Sequence, residues 1–406
     1  MPRDSSPPKR LRILFIDDEP MIIRALRRIV SEGPEHWQPE FETDPRHAAQ
    51  RCREESFDAV VSDLRMPGMS GIELLEQVRL HSPSTIRLLL SGQTGTRDAA
   101  VLSRLAHRLL AKPCDYRVLE HAIEEGCALR AHLGSDALRR LVAGLAQLPS
   151  FPSVYQELML ALADGDEPRA VGQILARDPA LSAKVLQLAN SGLFRVGAEI
   201  HDPVRACVVL GVGTVRSLAI GAQVYAACDT DPELHAECER LLLHSTRTSR
   251  IAEALARRAG LSAEQTSVCI MGALLQDVGW MVIASNLPAE ARTLRERARA
   301  DPETLESAER ELLGSTHAEL GAYVLRLWGL ADALVEAVAF HHRPSRSPGS
   351  GLRPLLVVHV AQALASLPPD PSDVPPDVDW AYLAAQAGPD GVQDWERWIG
   401  ELRRER

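Results

Sequence analysis

Short apolar runs alternate with stretches of helical period over the first third of the chain. The runs are Leu11–Ile16, Phe57–Ser62, Ile86–Leu90 and His107–Ala111. Each is too short for a buried helix and ends at polar or turn-forming residues, which predicts buried parallel strands with helices on both faces of the sheet. Past residue 148 the pattern changes, and no alternating run recurs. Ser153 with Gln156, Ser262 with Gln265 and Thr316 with Glu319 have the spacing of capping boxes, and Asp178-Pro179 reads as an N-cap followed by Pro at the first helical position. These starts predict an all-α second region. Between the two lies Val118–Leu148, helical in period and broken near Gly134-Ser135, which reads as a spacer or a dimer seam. Gly349–Gly351 and Pro368–Pro376 mark exposed loops, and Trp380–Arg404 reads as one or two terminal helices.

Polar residues stand where the apolar runs stop. Asp17 and Asp18 follow the first run, Asp63 the second and Ser91 the third, while Lys112 follows the fourth, just before Pro113. Ligands of open parallel sheets bind outside the carboxyl ends of the strands, so these residues are expected to share one cleft. Close carboxylates repel one another unless a hard cation sits among them, and Mg²⁺ suits such oxygen ligands. A carboxylate beside Mg²⁺ and an ammonium can accept a phosphoryl group, because both cations neutralise charge on the transferring oxygens. Asp63 is the expected acceptor, since the Pro- and Gly-rich turn Leu64–Gly71 leaves its strand end uncovered. Lys112 is one of only three lysines, with Lys9 and Lys184, among 45 Lys plus Arg. A compact ammonium suits a point contact to phosphate.

Composition bounds the remainder. A chain of 406 residues with 45% hydrophobic positions exceeds one ordinary core and predicts two or more folded domains. A formal charge of −10 argues against nucleic-acid binding, which needs a basic stripe. Arg403, Arg404 and Arg406 form no such stripe, being interleaved with Glu401 and Glu405. Seven cysteines without paired spacing read as reduced residues of a cytoplasmic protein. Met1–Arg10 lacks the apolar core of a signal peptide, and Val204–Ala227 is interrupted by Arg205 and Arg216, so no membrane association is expected.

In the second region His244, His317, His341, His342 and His359 fall in or at the ends of expected helices, together with Asp277 in Leu274-Leu275-Gln276-Asp277-Val278-Gly279. Imidazoles and a carboxylate from several helices can build a metal site inside a bundle.

The ordered set Asp17-Asp18, Asp63 in Asp-Leu-Arg-Met-Pro-Gly-Met-Ser-Gly, Ser91 in Leu-Leu-Ser-Gly, and Lys112-Pro113 resembles the receiver domain of two-component response regulators over about residues 10 to 128. The resemblance implies a flavodoxin-like sheet of five parallel strands in the order 2-1-3-4-5. It also implies that Asp63 is the phosphoacceptor, that Asp18 and Asp63 ligate Mg²⁺ directly with the Arg65 backbone carbonyl, and that Asp17 acts through water. Ser91 and Lys112 would contact the phosphoryl group, the Lys112-Pro113 bond would be cis, and a cognate histidine kinase would be the phosphodonor. Leu109 stands where the family often has an aromatic residue, so coupling through an aromatic rotamer is not expected.

Leu148–Pro152, Arg177–Leu181, Leu188–Ser191, Ala206–Gly211 and Trp328-Gly329-Leu330 through His341-His342 resemble the HDOD output domain, the regulatory branch of the HD phosphohydrolase superfamily. The resemblance spans about residues 140 to 366. Catalytic relatives use a His-Asp pair to feed two metals that activate water. Here Gln276 stands in the place of that His, Trp280 replaces a Lys after Gly279, a late Asp is replaced near Gln362, and Arg343-Pro344 follow His341-His342. His244, Gln276, Asp277, His317, His341 and His342 are therefore expected to be a vestigial site without metal or hydrolysis, in a domain that binds a protein or small ligand. The alternative is a metal-dependent phosphohydrolase or phosphodiesterase, acting on a (cyclic di)nucleotide through a single-metal site. The expected organisation is a receiver at 10–128, a helical linker at 129–147, an HDOD domain at 148–366, and a Pro-rich loop with a helical tail at 367–406. Homodimerisation through the connector stays open.

Overall fold

A computed structural model describes residues 10–31, 33–92, 105–132, 167–191, 199–212, 214–215, 232–300, 305–347, 354–367 and 378–404, with positions 154, 157–158 and 160–162 between them. The chain divides into two compact units. In the first, β1 (Leu11–Ile16), α1 (Pro20–Val30), β2 (Trp37–Glu42), α2 (Pro45–Glu54), β3 (Ala59–Asp63), α3 (Gly71–His81), β4 (Ile86–Ser91), β5 (Arg108–Ala111) and α4 (Tyr116–His132) alternate. The strands form one parallel sheet in the order β2-β1-β3-β4-β5, as expected. Every residue of β3 and β4 is buried, which is why these strands read as continuous apolar runs.

No apolar run marks β2, for a physical reason. It is an edge strand, so Pro39, paired with Ile13 in the register, costs no central ladder bond. Its Glu40 is held by Arg12 at 2.8 Å and by Arg51, so polar side chains are accommodated along the edge.

Register sets the strand ends side by side. Ile16 pairs with Ser62, Asp63 with Leu90 and Ser91 with Ala111, so Asp17, Asp63, Ser91 and Lys112 emerge at the same edge of the sheet. Close approach at this edge depends on Gly71, the first residue of α3. A Cβ there would stand 2.1 Å from the Asp63 carbonyl oxygen and 2.8 Å from Leu89 Cδ2. The start of α3 is fixed by a capping box in which Ser70 accepts from Glu73 N.

The second unit is helical. Its described helices are α5 (Pro168–Leu175), α6 (Pro179–Ala189), α7 (Pro203–Leu210), α8 (Pro232–Arg258), α9 (Ala263–Leu275), α10 (Val278–Asn286), α11 (Pro288–Ala300), α12 (Leu305–Leu313), α13 (His317–Leu327), α14 (Asp332–Phe340), α15 (Pro354–Ser366) and α16 (Trp380–Arg404). The Ser262 and Thr316 capping boxes form, and Asp178 caps α6 by accepting from Leu181 N. The Ser153–Gln156 box, the Gly134-Ser135 break, and the Gly349–Gly351 and Pro368–Pro376 loops lie outside the described residues.

The core runs through α8, α9 and α15, with Leu255, Cys269, Leu356 and Val360 all buried. Trp395, Ile399 and Leu402 of α16 belong to the same core, so the terminal segment packs as part of this unit. Gly388, at φ +73°, breaks α16 into two helical pieces. The span Ala263–Asn286 is long and apolar enough to cross a membrane by composition, but 83% of its window is buried inside the unit, as a core helix pair would be. The described cysteines, Cys52, Cys114, Cys127, Cys207 and Cys269, are free thiols.

Candidate functional sites

Asp17 and Asp63 are both buried at the carboxyl edge of the parallel sheet. Lys112 Nζ lies 2.6 Å from Asp17 Oδ2 and also pairs with Asp63 Oδ1. Two carboxylates thus converge on one cation-sized position. Partial burial works against the Lys112 ammonium, yet its hydrogen bonds and charge contacts with Asp17 and Asp63 outweigh burial and hold its pKa above the usual lysine value. The second oxygen of Asp63 accepts from the backbone N–H of Arg65 at 2.7 Å, and Asp17 Oδ1 accepts from Glu19 N at 3.0 Å. Asp18 is half-buried beside them, and the Arg65 side chain is exposed. Ser91 is buried at the end of β4, where its carbonyl accepts from Lys112 N at 2.8 Å. The Lys112-Pro113 bond is cis. Leu109 is buried within β5. The donor set fits Mg²⁺, because hard carboxylate oxygens already meet at the place a cation occupies.

The helical unit gathers a second cluster, and helix ends place most of it. Asp277 sits in the break between α9 and α10, where its side chain makes no cap hydrogen bond. The Thr316 capping box starts α13 with His317 as its first residue. His341 is the C-cap of α14, and His342 follows it. Gly279 and Gly321 let α10 and α13 meet closely, since a Cβ on Gly279 would stand 1.9 Å from the His317 carbonyl oxygen and 2.6 Å from Gly321 N.

The cluster has two halves with different chemistry. In one, His244 Nε2 donates to Gln362 Oε1 at 2.6 Å, and Gln276 Nε2 donates to the same oxygen and to Asp277 Oδ2 at 3.1 Å. These amides form a hydrogen-bonded clasp that occupies the His244 Nε2 position as a donor. In the other, His342 Nε2 lies 3.2 Å from His317 Nε2, and Asp277 Oδ1 lies 3.6 Å from His317 Nε2 and 4.0 Å from His341 Nε2. One ring nitrogen from each of the three histidines falls within 4.8 Å of the others.

Burial disfavours charge on His317, but Glu309 and then Asp277 outweigh it and push its pKa up to about 9. His341 is pushed down to about 3 by burial and by the neighbouring His317 charge. Burial, then His341 and His317, lower His342 well below its ordinary value. His317 is thus the ring of the three whose surroundings favour the cationic form, while His341 and His342 are held toward the neutral form.

Glu309 is a residue that sequence reasoning missed. It is fully buried, and its oxygens lie 2.8 and 3.0 Å from His317 Nδ1. The available signal was its position on α12, one helical turn from both Leu305 and Leu313 on the apolar face. His359, by contrast, does not join the cluster. Its Nδ1 donates to the His341 carbonyl at 2.7 Å and its Nε2 accepts from Asp379 N at 2.8 Å, which ties α15 to the α14 terminus and to the start of α16.

Residues 13–124 match the response regulator receiver domain, and residues 148–344 match the HDOD domain. Among curated proteins, the chain is similar to a protein-glutamate methylesterase/protein-glutamine glutaminase of Mesorhizobium japonicum, at 32% identity over 25% of this chain and 29% of that one. It is also similar to the hydrogenase transcriptional regulatory protein HoxA of Cupriavidus necator, at 28% identity over 45% of this chain and 40% of that one. The match thus spans less than half the length of either relative. Among solved structures, the MmoQ response regulator of Methylococcus capsulatus is similar at 22% identity, covering 64% of this chain and 97% of that one, with a TM-score of 0.47.

Proposed function

Because the chain joins a response regulator receiver domain to an HDOD domain, we propose that it is a signalling regulator switched by phosphorylation of Asp63. A carboxylate oxygen of Asp63 attacks phosphorus, the bond from phosphorus to the donor's phosphohistidine nitrogen breaks, and the imidazole leaves as the aspartyl phosphate forms. Asp17, Asp18, Asp63 and the Arg65 carbonyl are the residues that would hold Mg²⁺, whose charge would offset that of the transferring oxygens. Lys112 exchanges its pairing with Asp63 for a phosphoryl oxygen, and Ser91 contacts the same group. The phosphodonor is a histidine kinase.

The observation that carries this reading is the convergence of Asp17 and Asp63 on Lys112 Nζ. The HDOD domain acts by binding a protein or small ligand, its affinity set by the phosphorylation state through a shift between conformations. The amide clasp of Gln276 and Gln362 supports binding over two-metal hydrolysis, because neutral amides stand where the second metal would need charged or imidazole ligands. A small acyl phosphate with Mg²⁺ is expected to label the unaltered chain and to leave Asp63→Asn unlabelled. Equal labelling of both would remove Asp63 from its role.

A further inference from the structure

Arg87 is the one charged residue of β4 and is fully buried, although it stands at the opposite end of the strand from Ser91 and the acidic site. We propose that it is a positioning residue for Lys112: it clamps the entry to β5 and fixes the register in which that strand delivers the ammonium to Asp63. The inference rests on the reading of Asp63 as the phosphoacceptor. Strand β5 is weakly specified by its own hydrophobic pattern. It has four residues and lies at the edge of the sheet, paired with β4. Leu109 and Leu110 are both buried although successive side chains of a strand face opposite ways, so apolar alternation does not select one register. A slip of one residue carries Lys112 about 3.3 Å along the strand direction, more than its 2.6 Å distance to Asp17 Oδ2.

The guanidinium makes the clamp. Arg87 Nε donates to the Leu105 carbonyl at 2.8 Å, and Nη1 donates to the carbonyls of Thr85 at 3.2 Å and Pro83 at 3.3 Å. One planar fork thus ties the chain entering β5 to the chain entering β4, a geometry that the point charge of a lysine does not reproduce. The main chain repeats the tie. Arg87 N donates to His107 Nδ1 at 2.9 Å, His107 N donates to the Arg87 carbonyl at 2.8 Å, and His107 Nε2 lies 3.0 Å from Arg87 Nη2. Thr85 is itself fixed, its hydroxyl donating at 2.8 Å to the carbonyl of Phe57, just before the strand that ends in Asp63. Burial, with Arg79 nearby, lowers the Arg87 pKa to about 9, so the group is cationic at neutral pH and its bonds to carbonyls are charge-assisted. At its other end β5 is held by Lys112 itself, through Asp17, Asp63 and the Ser91 carbonyl. When Lys112 gives up Asp63 for a phosphoryl oxygen, the Arg87 end keeps the strand in place.

A double-mutant cycle on the full chain tests this, reading the rate at which saturating acetyl phosphate with Mg²⁺ labels Asp63. Arg87→Met is expected to slow labelling roughly 10- to 100-fold, the cost of misplacing a reacting group by about 1 Å. Arg87→Lys recovers only part of that loss. In the slower Lys112→Met chain, the same Arg87→Met change is expected to alter the rate less than about 2-fold. Equal fold-losses with and without Lys112 would overturn the assignment, because a merely structural defect is felt in both backgrounds. So would an Arg87→Met chain that labels at the unaltered rate. A measurement on the unaltered chain needs no variant to fold: the amide protons of Arg87 and His107 should exchange as slowly as those of β3, and faster exchange there would overturn the clamp. If the unaltered chain takes no label, or Asp63→Asn is labelled equally, the reading of Asp63 fails and the positioning role falls with it. Labelling confined to Asp63 together with an additive cycle removes only the role of Arg87.

Discussion

Lys184 lies in α6, all of whose residues are buried, and is itself only 8% exposed. Its Nζ donates to Gln187 Oε1 at 3.1 Å and stands 3.8 Å from the centroid of the Trp328 ring. Burial pushes its pKa down from 10.5 to about 7. At about 1.4 kcal/mol per unit, that shift corresponds to a stability swing of about 5 kcal/mol between the protonated and neutral limits. The face of Trp328 favours the ammonium by up to about 2 kcal/mol, which reduces the swing to the order of 3 kcal/mol. The unfolded chain holds the lysine proton between about pH 7 and 10.5 where the native protein has released it. Stability from this residue is therefore greatest above pH 10.5, falls as pH drops through the window, and is lowest below about pH 7. Lys184→Met keeps the volume and removes the titration. Denaturant unfolding of both proteins from pH 6.5 to 10 should show the wild type gaining on the variant as pH rises, by at most about 1.4 kcal/mol per unit. A difference that is flat with pH, or that falls as pH rises, would refute the reasoning.

Gly279→Ala places a Cβ 1.9 Å from the His317 carbonyl, where only backbone could yield. The expected loss is about 1–3 kcal/mol or more in denaturant unfolding. Gly400→Ala, whose Cβ would meet nothing within 4 Å, should instead stabilise by about 0.5–1 kcal/mol, as an open helical position allows. Lys112→Met leaves Asp17 and Asp63 facing each other without the ammonium. Because Lys112 is 22% exposed, the expected destabilisation is roughly 1–3 kcal/mol, below that of a fully buried pair. Mg²⁺ should restore part of it in the same denaturation assay, and a loss indifferent to Mg²⁺ would count against a cation site.

The N-terminal fold and its strand-end residues were legible because central parallel strands must be apolar and their ends must stop at the ligand edge. Strand β2 was not, since an edge position tolerates Pro39 and an ion-paired Glu40. In the helical unit, capping residues revealed where α6, α9 and α13 begin, yet no local pattern showed that α16 completes the core through Trp395 and Ile399. The histidines were visible as candidates, but their division was not. Whether His244 faces an amide or His317 faces a carboxylate depends on side chains 118 and 8 residues away, respectively. Glu309 stayed hidden for the same reason, because a charge on an apolar helix face acquires meaning only from its partner.

The central claim is that the state of Asp63 controls the helical domain. Hydrogen–deuterium exchange on the full chain, with and without an acyl phosphate and Mg²⁺, tests it most directly. Phosphorylation should alter amide protection in peptides from residues 148–366 as well as in the receiver, and Asp63→Asn should show neither change. Changes confined to the receiver, or identical changes in Asp63→Asn, would contradict the account.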